Sequence, residues 1–181
     1  MPTIGIPKES NSKETRVAAT PDSVRKLTSL KGVEVLIESG LGDRLKVSDE
    51  EYEKAGAAIC SRGKIFGSNF IFQISPMSLD RLADYKKGGV YIGCLDPYNR
   101  RDLIQSCVSY SIDAVSMEMM PRTTRAQKMD ILSSQSSIAG YAAVVVASEV
   151  SDKLFPMMMT PSGTISPARV FVIGVGVAGL Q

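Results

Sequence analysis

The chain has 181 residues, 44% hydrophobic and 22% charged, enough for one domain with a buried core and part of another. A net charge of +2 is too balanced for nucleic acid or an anionic membrane to be the main partner. No histidine is present, and Cys60, Cys94 and Cys107 match no zinc spacing; imidazole catalysis and a metal site are therefore not expected.

In chain order, Thr3–Ile6 reads as a first strand with no targeting peptide ahead of it. Thr20 is placed to cap a helix with Pro21 at its first position, Leu27 and Leu30 giving part of its buried stripe. Val33–Glu38 follows as a strand, and Ser48 with Glu51 forms a capping box ahead of Tyr52 and Ala55. Further strands are expected at Phe70–Ile74, Val90–Gly93 and Asp113–Ser116, with helical segments after Ser78 and Asn99. This alternation predicts a doubly wound parallel α/β sheet. The turn after the first strand, Pro7-Lys8-Glu9-Ser10, is no phosphate cradle, so this unit reads as a partner or substrate domain.

From Ile131 the pattern changes. Ala139, Ala142, Ala143, Val146 and Val150 recur at near-helical spacing, which predicts a long crossover helix buried between packed layers. No apolar run reaches the roughly 18 residues of a membrane span. Phe155–Pro167 reads as a hairpin around Pro161-Ser162-Gly163, and Met157–Met159 there suit either an interface or core filling.

The chain closes with an apolar strand, Val170–Ile173, leading into Gly174-x-Gly176-x-x-Gly179. In a dinucleotide-binding turn the first glycine allows the bend, the second lets a diphosphate approach the backbone, and the third lets helix and strand pack closely. Neither a second strand nor the acidic residue expected about 20 positions on is present, so the chain is expected to be a piece of a longer protein, cut inside its cofactor domain.

Between a strand end and the crossover helix lies a polar loop. Arg122 and Arg125 suit a carboxylate or phosphate, Gln127 suits a carboxamide, and Asp130 suits a ribose hydroxyl or an arginine. An ordinary helix cap, by Asp130 or Ser133 with solvated arginines, accounts for the same residues.

The stretches Met117–Arg122 through Ile138–Tyr141, Phe155–Thr160 and Val172–Gln181, with Gly5-Ile6-Pro7-Lys8-Glu9 and Thr15-Arg16-Val17-Ala18, resemble domain I of proton-translocating nicotinamide nucleotide transhydrogenase. The wider superfamily includes alanine dehydrogenase and saccharopine-type dehydrogenases. The resemblance implies an oxidoreductase that binds NAD(H) and exchanges hydride with NADP(H) on a separate domain, coupled to proton movement by a membrane domain. It implies that Arg122, Gln127 and Asp130 act at the nicotinamide end, that Ser133 contacts the same ring, and that Gly174, Gly176, Val177, Ala178 and Gly179 match the diphosphate turn. Arg125 is added to the cofactor-binding set from its place in the loop. It further implies a homodimer with the Phe155–Pro167 hairpin at its contact. The segment would be soluble, on the cytoplasmic face of a bacterial inner membrane or the matrix side of an organelle membrane, with no span of its own.

The expected organisation is a Rossmann-like domain over 1–130, a crossover helix over 131–155, a hairpin over 156–168, and the start of a truncated Rossmann domain over 169–181. Two other readings stay open: an alanine dehydrogenase-like enzyme, and a non-catalytic dimerising fragment. Against the first, Arg16 matches the substrate arginine of alanine dehydrogenases, but the lysine and histidine positions fall on Gln73 and Cys94, which removes the acid–base groups. Hydride exchange between two nicotinamides needs chiefly proximity and orientation. The truncated segment alone is expected to be inactive.

Overall fold

A computed structural model describes residues 1–181, which divide into two compact units, 1–120 and 121–181. The first holds six parallel strands: β1 (Thr3–Ile6), β2 (Glu34–Glu38), β3 (Ala58–Cys60), β4 (Phe70–Phe72), β5 (Val90–Gly93) and β6 (Asp113–Ser116). Their order across the sheet is β3-β2-β1-β4-β5-β6, so the winding reverses between β1 and β4. The register places Ile4 beside Val35 and Phe70, and Tyr91 beside Ala114.

Alternation along the strands divides the core. Ile4, Ile6, Val35 and Ile37 pack on one face with Val24 of α1 (Pro21–Thr28) and Tyr52 of α2 (Asp49–Lys54). Leu36, Ile71 and Tyr91 pack on the other with Ile65 and Phe66 of α3 (Arg62–Phe66) and Leu103 of α4 (Arg101–Ser109). Helices on both faces make apolar residues favourable on both sides of each strand, as in doubly wound folds.

Local chemistry sets the helix starts. The Thr20 hydroxyl accepts from the Ser23 N–H with Pro21 at the first turn, and Ser48 and Glu51 cap each other's backbone N–H groups. Several expectations change. The buried residue of α1 is Val24, while Leu30 is exposed, because the stripe is shifted and the helix ends at Thr28. The segment after Ser78 is a 3-10 stretch, Leu79–Asp84, and α4 starts beyond Asn99 with Arg100 at its N-cap. Strand β3 and α3, unforeseen, are three and five residues long.

The second unit contains α5 (Ile131–Val150), an antiparallel hairpin of β7 (Met158–Thr160) and β8 (Gly163–Ile165), and α6 (Val177–Leu180). Contrary to expectation, α5 is not buried between layers: Gly140 is its one buried residue, and Tyr141, Val144, Val145 and Val146 face outward. By length and composition alone α5 could cross a membrane. Ser133–Ser137 is an unbroken polar stretch within it. The expected strand Val170–Ile173 forms no ladder, because a strand needs a neighbour to bond and none lies beside it; Phe171 and Ile173 are 88% and 90% exposed.

Candidate functional site

In the unit spanning 121–181, backbone turns order the polar loop: Thr123 N–H donates to Pro121 O, Ala126 N–H to Thr123 O, and Met129 N–H to Ala126 O, at 2.8–3.0 Å. The loop ends on Asp130, the N-cap of α5. One Asp130 carboxylate oxygen accepts from the Ser133 N–H at 3.0 Å, and the other accepts from the Ser133 hydroxyl at 2.6 Å. The Ser133 hydroxyl, then its N–H, then the charge of Arg122 hold the Asp130 carboxyl below its ordinary range. The capping alternative is thus present as structure, with Asp130 the cap and Ser133 its partner. Arg122, Arg125 and Gln127 are exposed, so their donors, and the carboxamide oxygen of Gln127, remain available to a ligand.

At the other end of the unit, Gly174 has φ +94°, a conformation suited to glycine, and a Cβ at Gly174 or Gly176 would meet open space. A Cβ at Gly179 would instead overlap the Gly174 carbonyl oxygen. The three glycines therefore differ as a dinucleotide turn requires: a bend, an open approach, and a close packing. Val177 and Ala178 begin α6 directly behind the turn. This backbone cradle fits an anionic group such as a diphosphate. The turn lies against α5, where Gly140 abuts Ala178 and the Ser137 hydroxyl donates to Gln181 Oε1 at 2.9 Å.

The unit spanning 1–120 is different at its strand ends. The crevice outside the sheet's winding reversal is the natural anion position of such a fold. Here the Glu9 carboxylate fills it, accepting from the Ile74 and Ser75 N–H groups at 2.7 and 3.0 Å. Glu38 accepts from the Lys8 N–H, and Glu118 from those of Leu95 and Asp96. A cleft of about 170 Å³ nearby carries three cations, each already engaged: Lys8 with Asp43, Arg16 with Glu14, and Arg44 with the carbonyls of Asn11 and Glu14.

Gln73 and Cys94 follow β4 and β5 directly. Gln73 is buried and accepts from Tyr91 at 3.5 Å. Burial, then Glu118, push the Cys94 thiol above its usual range, so it stays protonated near neutrality. Two Arg16 nitrogens bind the two Glu14 oxygens at 2.8 and 2.7 Å, which lowers the Glu14 pKa and raises that of Arg16. The strand-end carboxylates and the seat at Gly140 went unread in the sequence, since both depend on which segments meet.

Two family models match the chain: alanine dehydrogenase/PNT, N-terminal domain, over residues 5–139, and alanine dehydrogenase/PNT, C-terminal domain, over residues 143–181. An NAD(P) transhydrogenase alpha-subunit protein of Rhodospirillum rubrum is 43% identical over 98% of this chain and 48% of its own length. The crystal structure of transhydrogenase from Sinorhizobium meliloti superposes with a TM-score of 0.93 at 42% identity, covering 98% of this chain and 53% of that one. The alanine dehydrogenase of Bacillus subtilis is more distant, 27% identical over 97% of this chain and 47% of its own. The chain spans about half the length of these relatives.

Proposed function

The chain belongs to the alanine dehydrogenase/PNT family, and from that premise we propose that it is the NAD(H)-binding component of a transhydrogenase. The activity proposed is hydride transfer between NAD(H) and NADP(H), the latter held on a separate domain, coupled to proton translocation by a membrane domain. One observation carries the reading: α5 bears the Asp130–Ser133 cap and its loop at one end and seats the Gly174–Gly179 turn at Gly140. The transhydrogenase relatives, at 43% and 42% identity, favour it over the alanine dehydrogenase at 27%.

When bound, the nicotinamide ring supplies or accepts the hydride. The residues of the chain bind and orient. The Gly174–Gly179 backbone, with Val177 and Ala178, takes the diphosphate; Gln127 bonds the carboxamide; Arg122, with Arg125 beside it, presents positive charge; Asp130 and Ser133 fix the loop against the start of α5. No proton need move at the reacting carbons, so the absence of imidazole is no obstacle. The domain organisation proposed is 1–130, 131–155, 156–168 and 169–181 as outlined from the sequence. Residues 1–181 by themselves are proposed to be inactive.

Met157–Met159 on the hairpin are exposed, Met159 at 83%, which supports a homodimer joined through that apolar strip. In this reading the segment works in the aqueous phase, on the cytoplasmic face of a bacterial membrane or the matrix side of an organelle membrane. The reading is tested by titrating NADH into the full-length protein and its Arg122→Ala variant. Binding weakened by the substitution supports it; equal binding by both refutes the site.

A further inference from the structure

We propose that Gly140 is a positioning residue for the diphosphate turn, and that one face of α5 aligns that turn with the ring loop. The inference rests on the NAD(H)-binding reading above. Asp130, Ser133, Ser137 and Gly140 are spaced three, four and three residues apart, which puts them along one side of α5. Asp130 and Ser133 hold the loop end. Ten residues on, about 15 Å along the axis, Gly140 meets Ala178.

Glycine in a helix interior is destabilising relative to alanine, so its use in the Ala/Val-rich α5 asks for a reason. The reason is steric. A Cβ on Gly140 would overlap the Ala178 carbonyl oxygen and lie 3.0 Å from its carbonyl carbon. These are backbone atoms, which cannot step aside without moving the turn. Within α6 Gly179 packs as closely on the turn, since its Cβ would overlap the Gly174 oxygen. The bond from Ser137 to Gln181 is a second tie on the same side of α5. The amides of the turn are thus set by backbone packing on α5, two residues beyond Gly176. Alanine at 140 displaces them and leaves Arg122 and Gln127 untouched.

The experiment is calorimetry on the full-length protein with NADH and with ADP-ribose, which keeps the diphosphate and lacks the ring. For Gly140→Ala the expected result is binding of both ligands at least tenfold weaker, at unchanged stoichiometry. Arg122→Ala is expected to weaken NADH alone, leaving ADP-ribose within about twofold of wild type. Wild-type affinity for both ligands in Gly140→Ala overturns the inference and leaves the functional reading standing. So does weakened NADH with unchanged ADP-ribose, or reduced stoichiometry at unchanged affinity, the mark of partial misfolding. Failure of wild type to bind either ligand brings down the functional reading and this inference together. Should Gly140→Ala not fold, Ser137→Ala serves: several-fold weaker binding of both ligands supports the inference, and no change in either refutes it.

Discussion

Ser133 bonds both carboxylate oxygens of Asp130, one through its backbone N–H at 3.0 Å and the other through its hydroxyl at 2.6 Å. The aspartate is thereby fixed in place and fixed in charge, at the junction of the loop and α5. Its pKa lies below the ordinary 3.8, from the Ser133 hydroxyl first, then the Ser133 N–H and Arg122. A depressed carboxyl contributes stability that is present above its unfolded pKa and is lost as pH falls through the folded one. The cap should therefore hold from neutrality down to about pH 4 and fail only below it.

Asp130→Asn separates charge from capping, because asparagine also caps helices well. Circular dichroism and the melting temperature should stay near those of wild type. NADH affinity should fall several-fold, because the negative charge that faces Arg122 is lost while the cap is kept. Equal loss of helix and affinity would mean that Asp130 is structural alone.

The first two glycines of the turn should respond differently to alanine. At Gly174, φ +94° strains any L side chain, at a cost of about 1–3 kcal/mol. At Gly176 a Cβ meets nothing within 4 Å, so stability should change by less than about 0.5 kcal/mol. The same Cβ would stand in the diphosphate approach, and NADH binding should weaken by roughly tenfold or more. Denaturation midpoints and NADH titrations of the two variants check this.

Oxidation of NADH by pyruvate and ammonia should be absent. Arg16 is held by Glu14, Gln73 is a neutral amide bonded to Tyr91, and the Cys94 thiol is pushed up by burial. None of the three offers a proton-transfer group poised near neutrality. An absorbance assay on the full-length protein decides it, and measurable turnover would favour the amino-acid dehydrogenase reading.

A charge on the hairpin should separate the protomers of the proposed homodimer. Met159→Lys places an ammonium on the strip of Met157–Met159, which a dimer contact must desolvate. The dimer dissociation constant should rise by about tenfold or more, with the monomer's circular dichroism unchanged. Sedimentation equilibrium measures it; an unaltered dimer places the contact elsewhere.

The sequence made the local features legible. Thr20 with Pro21, and Ser48 with Glu51, lie within one helical turn of what they cap, and both caps form as read. The sheet strands with strong apolar patterns were found within a few residues of their bounds, whereas Ala58–Cys60 is too short to carry a period. At the candidate site the sequence left the cap open between Asp130 and Ser133; Asp130 is the cap, and its two hydrogen bonds from Ser133 could not be read from spacing. Non-local features stayed hidden. The Ala/Val-rich pattern of α5 reports that the helix is apolar, not that a covering layer is present. The composition of Val170–Ile173 favours a strand, yet no strand forms without a neighbour. Gly140 reads as one small residue among many until Ala178 is set against it.

Amide hydrogen exchange of the full-length protein, with and without NADH, tests most directly whether the two distant stretches serve one cofactor. Residues 122–133 and 174–179 should gain protection together, at one NADH concentration dependence, while the strand-end loops holding Glu9, Glu38 and Glu118 stay unchanged. Protection confined to those strand-end loops, or reaching only one of the two stretches, would contradict the account.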